Sequence, residues 1–418
     1  MNSKERFKTT LNHRLPEKVV IDFGSTPVTG IHVLAIQKIR EYYGLENIPV
    51  KVTEPYQMLG EVDVEMMELL GVDIIGLGAR TNIFGFENKD WKEFKTWWGQ
   101  EVLVPGKFNT IKDNNGDLLL FPEGDMAVPP SGRMPSTGYF FDALIRQEPF
   151  DEQSLNIEDN LEEFKPVSDE DLMYWAEQIK SIKGTDKGIV ANFGGTALGD
   201  IALVPAPFLR YPKGVRDIQE WYMSSLVRPD YMKEIFERQT DIAVENLKRF
   251  YKVVGNDIDV VYMCGNDFGT QQSTFCDLNT FRDLYLPYYR KMNDWIHANT
   301  GWKTFKHSCG AVEPLIEGFI EAGFDILNPV QVNAAGMDPQ MLKDKYGDRI
   351  VFWGGGVDTQ KVLSFGTPDD VKKQVTRLCE IFSRQGGFVF NTVHNIQANV
   401  PVENLVAMFE TLKRINSL

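Results

Sequence analysis

Short apolar segments alternate with helical patterns along most of this 418-residue chain, and this alternation limits the fold more than any other feature. Most of the segments are rich in β-branched or aromatic residues and end in glycine, asparagine or aspartate. They span residues 19–24, 73–78, 188–194, 259–265, 303–310, 325–329, 350–356 and 387–394. Helical spacing of apolar residues fills most of the intervals, as in 230–253 and 312–323. Eight strands that alternate with helices predict an α/β fold of the closed (β/α)8, or TIM, barrel type.

The interval between the second and third predicted strands is longer than a crossover helix needs. Residues 81–187 are therefore expected to contain a partly β insertion, which emerges at the catalytic face of the barrel. Asn115 and Gly116 stand between alternating apolar runs and predict a two-residue hairpin turn. Trp97 and Trp98 are interpreted as packing in this hairpin, with an aromatic lid over a substrate as the alternative. No linker or repeat divides the chain, so one domain over residues 1–418 is expected.

The composition excludes some classes of partner. The formal net charge is −15 at pH 7 and no block of lysine or arginine forms a basic stripe, so nucleic acid is not an expected partner. No apolar run approaches the length of a bilayer span, and the polar N-terminal segment lacks the apolar region of a signal peptide. No membrane partner and a cytoplasmic location are therefore expected. Four scattered cysteines fit a reducing compartment, where a thiol is free to bind a metal.

Two of the five histidines, His307 and His394, fall at the C-terminal ends of predicted strands, where barrel enzymes place catalytic groups. His307 and Cys309 are two residues apart, so on an extended strand their side chains project to the same side and can share one ion. Imidazole and thiolate are preferred zinc ligands, and a third protein ligand leaves a fourth position open for substrate. His394 is the predicted third ligand. Cys379 is the rival, although a cysteine inside a helical pattern is more often a small buried hydrophobic residue.

Further polar residues follow the predicted strands and complete the candidate site. Asp267 has three open roles: a general base, a hydrogen-bond acceptor for the substrate, or a carboxylate that orients His307. A solvated turn is the structural alternative. His307 is also a candidate catalytic residue, because without a metal it would handle protons together with Asp267. The predicted substrate-binding residues are Asn266, Asn328, Gln331, Asp358 and Gln397.

At these residues the sequence resembles the uroporphyrinogen decarboxylase superfamily, which also contains zinc-dependent methyltransferases that work with corrinoid proteins. The resemblance begins at ERFKTTLNHRLPEKVVIDFG and is clearest from CGNDFGTQ onward. It continues through FKHSCGAVEPLIEGFIEAGFDILNPVQ, DRIVFWGGGVDTQ and GGFVFNTVHNIQANVPVENLVAMF. This resemblance independently implies a (β/α)8 barrel.

The two branches of the superfamily imply different chemistry. True decarboxylases carry an arginine-rich segment close to RQAGRY that grips an anionic tetrapyrrole, whereas the corresponding region here reads DFGSTPVTGI and has no arginine. The methyltransferase branch holds zinc with an HxC pair, which His307 and Cys309 match, and with a later cysteine. This chain has His394 near that later position. A His2Cys site carries less negative charge and makes zinc a stronger Lewis acid, which suits demethylation of an oxygen or nitrogen.

The resemblance therefore implies a zinc-dependent methyltransferase that moves a methyl group between a small methylated substrate and a corrinoid carried by a separate protein. Two alternatives stay open. One is a metal-free decarboxylase of the uroporphyrinogen decarboxylase type, and the other is a protein that binds a corrinoid or tetrapyrrole without turnover. Barrels of this kind often pair through surface helices, so a homodimer is a further expectation.

Overall fold

The computed structural model describes residues 1–149, 151–161 and 164–417. Within these residues, eight parallel strands form one sheet. Each strand from the third to the eighth pairs with the strand before it, and the eighth also pairs with the first. The strands are Val20–Ile21, Ile74–Leu77, Gly188–Ala191, Val260–Cys264, Lys303–His307, Ile326–Asn328, Val351–Trp353 and Phe388–Phe390. The N–H of Asp73 donates to the carbonyl of Ile21 at 2.8 Å and links the second strand to the first. The predicted (β/α)8 barrel is confirmed.

Helices connect the barrel strands and cover the sheet. The α-helices of the described residues are Ser3–Leu11, Val33–Tyr43, Val64–Leu70, Asp169–Ser181, Ile218–Val227, Pro229–Val254, Leu278–Leu284, Leu286–Asn299, Glu313–Glu321, Pro339–Tyr346, Val362–Phe365, Pro368–Phe382 and Val402–Ile415. Thr367 begins the helix Pro368–Phe382 with a capping box, since its side chain accepts from the N–H of Asp370 and the Asp370 carboxylate accepts from the Thr367 backbone. None of the described helices is both long enough and apolar enough to cross a membrane.

The first helix closes the N-terminal end of the barrel. Phe7 is fully buried and packs edge-on against Trp353, with ring centroids 5.6 Å apart. It belongs to a cluster of buried residues contributed mainly by the barrel strands. Gly188 begins the third strand directly beside Phe7, where a Cβ atom would lie 2.1 Å from the ring. Burying a phenylalanine side chain stabilises a fold by about 2–3 kcal/mol, so this plug fixes the bottom of the barrel and leaves the other end for a site.

Two small sheets stand beside the barrel, and the sequence predicted them only in part. One pairs Lys92–Lys95 with Glu101–Val104 and then adds Val50–Glu54 and Leu59–Gly60, which come before the second barrel strand. The other consists of Thr110–Lys112, Leu118–Leu120, Gly132–Met134 and Asp142–Ala143. The strands before the second barrel strand were not predicted, because their pairing with Glu101–Val104 joins segments about 50 residues apart.

The hairpin at Asn115 and Gly116 has a longer turn than predicted. The N–H of Asp113 donates to the carbonyl of Asp117, so the loop between the paired residues contains three residues rather than two. Gly116 has a φ of +83°, as expected for a type I turn followed by a left-handed residue. Asp113 Oδ1 accepts from the N–H of Asn115 and of Asp117, and this favours the longer turn.

His32 ties the barrel to the second of these sheets. It is fully buried at the N-terminus of the helix Val33–Tyr43, where Nδ1 accepts from the N–H of Leu34 and Nε2 lies 2.9 Å from the carbonyl of Tyr139. The ring is therefore neutral, with its proton on Nε2. Burial lowers the pKa of His32 to about 4, with a smaller contribution in the same direction from Lys38. These two hydrogen bonds give His32 a structural role.

This arrangement predicts a stability that depends on pH. His32 has a folded-state pKa below its unfolded value near 6.5, so its contribution is complete above that value and is lost as pH falls toward 4. Between pH 7 and pH 5 the loss attributable to this ring is about 2 kcal/mol. The variant His32→Asn keeps a capping oxygen but has no ring to protonate. Between pH 7 and pH 5 its free energy of unfolding is therefore expected to fall by about 2 kcal/mol less than that of the wild type. Urea titrations of both proteins at the two pH values measure the difference, and equal falls would contradict the assignment.

Candidate metal centre

The predicted site residues meet at the C-terminal end of the barrel. His307 is the last residue of the fifth strand, and Cys309 follows it by two residues. His394 lies four residues beyond the eighth strand, which ends at Phe390. One nitrogen from each histidine and the sulfur of Cys309 lie within 4.8 Å of one another. The fifth and eighth strands thus bring His394 close to His307 and Cys309, which come about 85 residues earlier in the sequence.

Asn328 orients the ring of His307. Its Nδ2 donates to the carbonyl of Trp353 at 2.9 Å, which fixes the amide so that Oδ1 faces His307. His307 Nδ1 lies 2.6 Å from this oxygen and must therefore carry the hydrogen. The lone pair of Nε2 is left facing Cys309 Sγ at 3.2 Å. A histidine held in one tautomer by its second nitrogen is the usual arrangement at a metal.

Both histidines of the cluster are in the protonation state that metal binding requires. Burial lowers the pKa of His307 to about 4, and the hydrogen bond that His307 donates to Asn328 opposes this shift. Burial also lowers the pKa of His394 to about 4, and the neighbouring His307 acts in the same direction. The two rings are nearly perpendicular, with centroids 5.4 Å apart. Neutral imidazoles offer lone pairs, so near neutral pH neither histidine has to lose a proton before a cation binds, whereas the Cys309 thiol loses its proton on binding.

Asp267 lies against Cys309 and fixes its backbone. Its Oδ1 accepts from the N–H of Cys309 at 2.6 Å and lies 3.8 Å from His307 Nε2. Burial raises the pKa of Asp267 above that of an ordinary carboxyl group. Burial, reinforced by the Asp267 carboxylate, likewise raises the pKa of the Cys309 thiol. Tyr222 donates to the backbone carbonyl of Asp267 and holds the loop from the other side.

The donor set fits zinc. Bond lengths to imidazole nitrogen and thiolate sulfur in a tetrahedral zinc site leave neighbouring ligand atoms about 3.3–3.7 Å apart. Here His307 Nε2 and Cys309 Sγ are 3.2 Å apart, and no ligand atom of the triad is more than 4.8 Å from another. Small side-chain movements would bring the three ligand atoms to the separations of a tetrahedral zinc site. Cys379, the rival third ligand, is buried among hydrophobic residues within the helix Pro368–Phe382.

Four of the predicted substrate-binding residues use their polar atoms within the protein. Asn266 donates to the carbonyl of Leu198, and Asn328 is engaged on both sides as described. Gln331 accepts from the N–H of Gly310 and donates to Gln271. Asp358 Oδ1 accepts from the backbone of Gln360 and Lys361 and from the side chain of Asn333. This geometry gives them a positioning role in the loops, and direct contact with a substrate stays a prediction.

Gln397 differs from these four. It is half-buried, and its Nε2 makes only a long hydrogen bond, 3.4 Å, to the carbonyl of Asn395 among the contacts within the described residues. It follows His394 by three residues, on the same loop. Of the five predicted contacts, it retains the most capacity to bind another molecule.

Lys306 is a functional neighbour that the sequence reasoning missed. It is fully buried, and its Nζ donates to the backbone carbonyls of Asn266 and His307. The ammonium lies 4.9 Å from the ring centroid of Phe268 and 5.6 Å from that of Phe319. A lysine inside a strand covered on both faces is rare unless it has partners, and this was the available signal. Its positive charge opposes the rise in the pKa of Asp267.

Asp200 is a second missed residue. It lies in the long connection after the third strand, where its carboxylate accepts from the N–H of Gly265 and of Ala202. Burial raises its pKa to about 6, and the charge of Asp267 acts in the same direction. Asp200 lies nine residues beyond Ala191, the last residue of the third strand, so proximity to a strand end could not identify it.

The fold and the cluster define a (β/α)8-barrel protein with a candidate metal centre at the mouth of the barrel. The chain belongs to the uroporphyrinogen decarboxylase (URO-D) family, whose profile matches residues 146–415. Family membership indicates an enzyme. A search of curated proteins found no match.

A solved structure supports the fold. A methyltransferase from Methanosarcina mazei is similar over 99% of this chain and 99% of its own, with 14% sequence identity and a TM-score of 0.54. The β-glycosidase from the hyperthermophile Thermosphaera aggregans aligns with 84% of this chain and 86% of its own, with 10% identity and a TM-score of 0.36. At 14% identity, the similarity to the methyltransferase supports the barrel architecture alone.

Proposed function

We propose that the protein is a zinc-dependent methyltransferase that moves a methyl group between a small O- or N-methyl substrate and a corrinoid carried by a partner protein. The observation that carries this proposal is the His2Cys donor set at the mouth of the barrel, formed by His307, Cys309 and His394. Membership of the URO-D family and the likeness to a methyltransferase support it. The cytoplasmic location and the homodimer expected from the sequence stay predictions.

In this proposal His307, Cys309 and His394 hold zinc. When bound, zinc supplies a Lewis acid that polarises the heteroatom carrying the methyl group. Overall, the bond between the methyl carbon and oxygen or nitrogen breaks and a bond between that carbon and cobalt forms. The Co(I) corrinoid provides the electron pair, and the demethylated heteroatom takes up a proton. The corrinoid is a substrate here, brought by the partner protein.

The chain's own residues orient the site and handle this proton. Asn328 keeps the lone pair of His307 Nε2 directed at the mouth, and Lys306 fixes the backbone carbonyls of Asn266 and His307 beneath it. Asp267 fixes the backbone of Cys309 and, with its raised pKa, can hold a proton for the leaving heteroatom. Gln397 is the proposed polar contact to the donor.

A metal-free decarboxylase is the second candidate. The nearness of Asp267 Oδ1 to His307 Nε2, at 3.8 Å, favours it, since a small side-chain movement or one bridging water would let this pair pass a proton without a metal. The segment 22–31 contains no arginine, so it offers no cationic clamp for a polyanionic substrate. Zinc content distinguishes the methyltransferase from the decarboxylase, because only the methyltransferase needs a metal. It likewise distinguishes the methyltransferase from a non-catalytic protein that binds a corrinoid or tetrapyrrole without zinc.

The test begins with elemental analysis of protein purified without an affinity tag. About one zinc per chain is expected in the wild type and much less in His307→Ala and His394→Ala. His297→Ala is the matched control, because His297 lies on a surface helix and pairs with Asp325. Zinc-loaded protein is then given Co(I) cobalamin with methoxy-aromatic compounds or methylamines, and formation of methylcobalamin is followed by visible absorbance.

Each outcome has a definite meaning. Zinc lost in both site variants but kept in the control, together with methylcobalamin from at least one donor class, supports the proposal. Absence of zinc in the wild type, even after zinc is supplied, would overturn it and direct attention to decarboxylation with Asp267 as the first variant. Zinc without turnover of either donor class would overturn the proposed donors but leave the metal centre standing.

A further inference from the structure

The two small sheets enclose a groove that is separate from the candidate metal centre. Its volume is about 510 Å³, which is within the range of small-molecule sites. Its lining is dominated by apolar and aromatic side chains, and we call it the aromatic groove after Phe94, Trp97, Trp98 and Phe108. No residue of the metal centre lines it, and its lining residues lie between 58 and 136, outside the part of the chain that the URO-D profile matches.

Hydrogen bonds and ring contacts hold the tryptophan wall of the groove in place. Trp97 Nε1 donates to the carbonyl of Gly138 at 2.6 Å, and Trp98 Nε1 donates to Gln100 Oε1 at 2.9 Å. The ring of Tyr139 contacts both indoles, with centroids 5.1 and 5.2 Å away. The two indole N–H groups are therefore used, and the wall offers ring faces and edges. Trp97 remains 46% exposed, which is unusual for a residue whose only role is packing.

Two lysines give the groove a positive rim. Lys95 and Lys112 are exposed and line the groove, and within the described part of the chain neither ammonium makes an ion pair or hydrogen bond. Lysines nearby are paired, as Lys92 donates to the carbonyl of Gly106 and to Asn109. Glu101 lies opposite Lys95 in the strand pair but forms no ion pair with it among the described residues, so both ammonium groups stay available and, beside an aromatic wall, form a local site complementary to an anion.

We propose that the aromatic groove binds a small molecule with a planar aromatic body and a carboxylate or other anionic group. The ring of the ligand lies against Trp97 and Trp98, and its anionic group lies between Lys95 and Lys112. The volume accommodates a molecule of two or three fused rings. This inference does not rest on the proposed methyl transfer, and it gives Trp97 and Trp98 a binding role in place of the packing role predicted from the sequence.

Calorimetric titration of the full-length protein with 2-naphthoate tests the proposal, with the uncharged analogue 2-naphthalenemethanol for comparison. The variants are Trp97→Ala and the double variant Lys95→Gln with Lys112→Gln. Lys252→Gln, at an exposed site on the helix Pro229–Val254, is the matched charge control. His394→Ala tests whether the probe instead binds at the mouth of the barrel. Thermal melting checks that each variant is folded.

We expect naphthoate to bind more tightly than the neutral analogue, by about 3- to 10-fold, as two exposed ion pairs would give. The lysine double variant is expected to abolish this preference, and Trp97→Ala to weaken both probes by about 5-fold. Lys252→Gln and His394→Ala are expected to bind like the wild type. No binding of naphthoate, an unchanged preference in the double variant, or loss of binding only in His394→Ala would each overturn the proposal.

Discussion

Cys309→Ala is expected to abolish zinc binding and methyl transfer together while the barrel remains folded. Cys309 is the anionic member of the donor set, and its sulfur lies 3.2 Å from His307 Nε2. Removing it takes away both a bond to the metal and the negative charge that balances the cation. The loss of zinc affinity should exceed the 10- to 100-fold loss that is typical when a residue hydrogen-bonded to a metal ligand is replaced. The hydrogen bond from the backbone of Cys309 to Asp267 does not depend on the side chain.

Zinc per chain, a melting curve and the rate of methylcobalamin formation measure this result. Cys276→Ala is the control, because Cys276 is a half-buried thiol outside the triad and should leave all three values unchanged. Cys309→Ser replaces one atom and provides a second test if alanine disturbs folding. Full zinc content in both Cys309 variants would show that the thiol is not a ligand. Unfolding of both, with no zinc in the wild type, would make Cys309 a core residue.

The barrel could be predicted because its signals are local. Each strand is a short apolar run, each helix repeats its apolar residues every three or four positions, and parallel strands in a closed barrel all end on one face. The sequence therefore placed His307, Cys309 and His394 on that face before any distance was known. Their ligand atoms lie within 4.8 Å of one another because the barrel strands are arranged in the expected order. A single domain over residues 1–418 stays a prediction.

The features that were missed depend on contacts between distant segments. The strand Val50–Glu54 is short, and it becomes part of a sheet only because Glu101–Val104 pairs with it. The role of Asn328 depends on the carbonyl of Trp353, which turns the amide so that its oxygen faces His307. Lys306 was passed over because its partners are backbone carbonyls, which no sequence pattern marks. Residue types at strand ends predicted which side chains meet, but not which of them orient the others.

Asn328→Ala is expected to weaken zinc binding by about 10- to 100-fold without removing a ligand. Without the amide oxygen, His307 Nδ1 loses the acceptor that fixes its proton, and the ring is free to adopt the tautomer in which Nε2 carries the hydrogen and cannot bind the metal. Asn328→Asp restores an acceptor for Nδ1 but loses the donor to the carbonyl of Trp353, so it should recover only part of the affinity. Competition with a zinc chelator of known affinity measures the three proteins on one scale.

The control must separate loss of orientation from loss of stability, since removing a buried amide costs about 1–3 kcal/mol wherever it occurs. Asn293 provides it, because it is also fully buried and its Nδ2 donates to the carbonyl of Ala322, between helices that hold no metal ligand. Asn293→Ala should lose comparable stability and keep its zinc affinity. If both alanine variants bind zinc as tightly as the wild type, the orientation of His307 does not need Asn328. If both lose affinity equally, the effect reflects the stability of the barrel rather than the histidine tautomer.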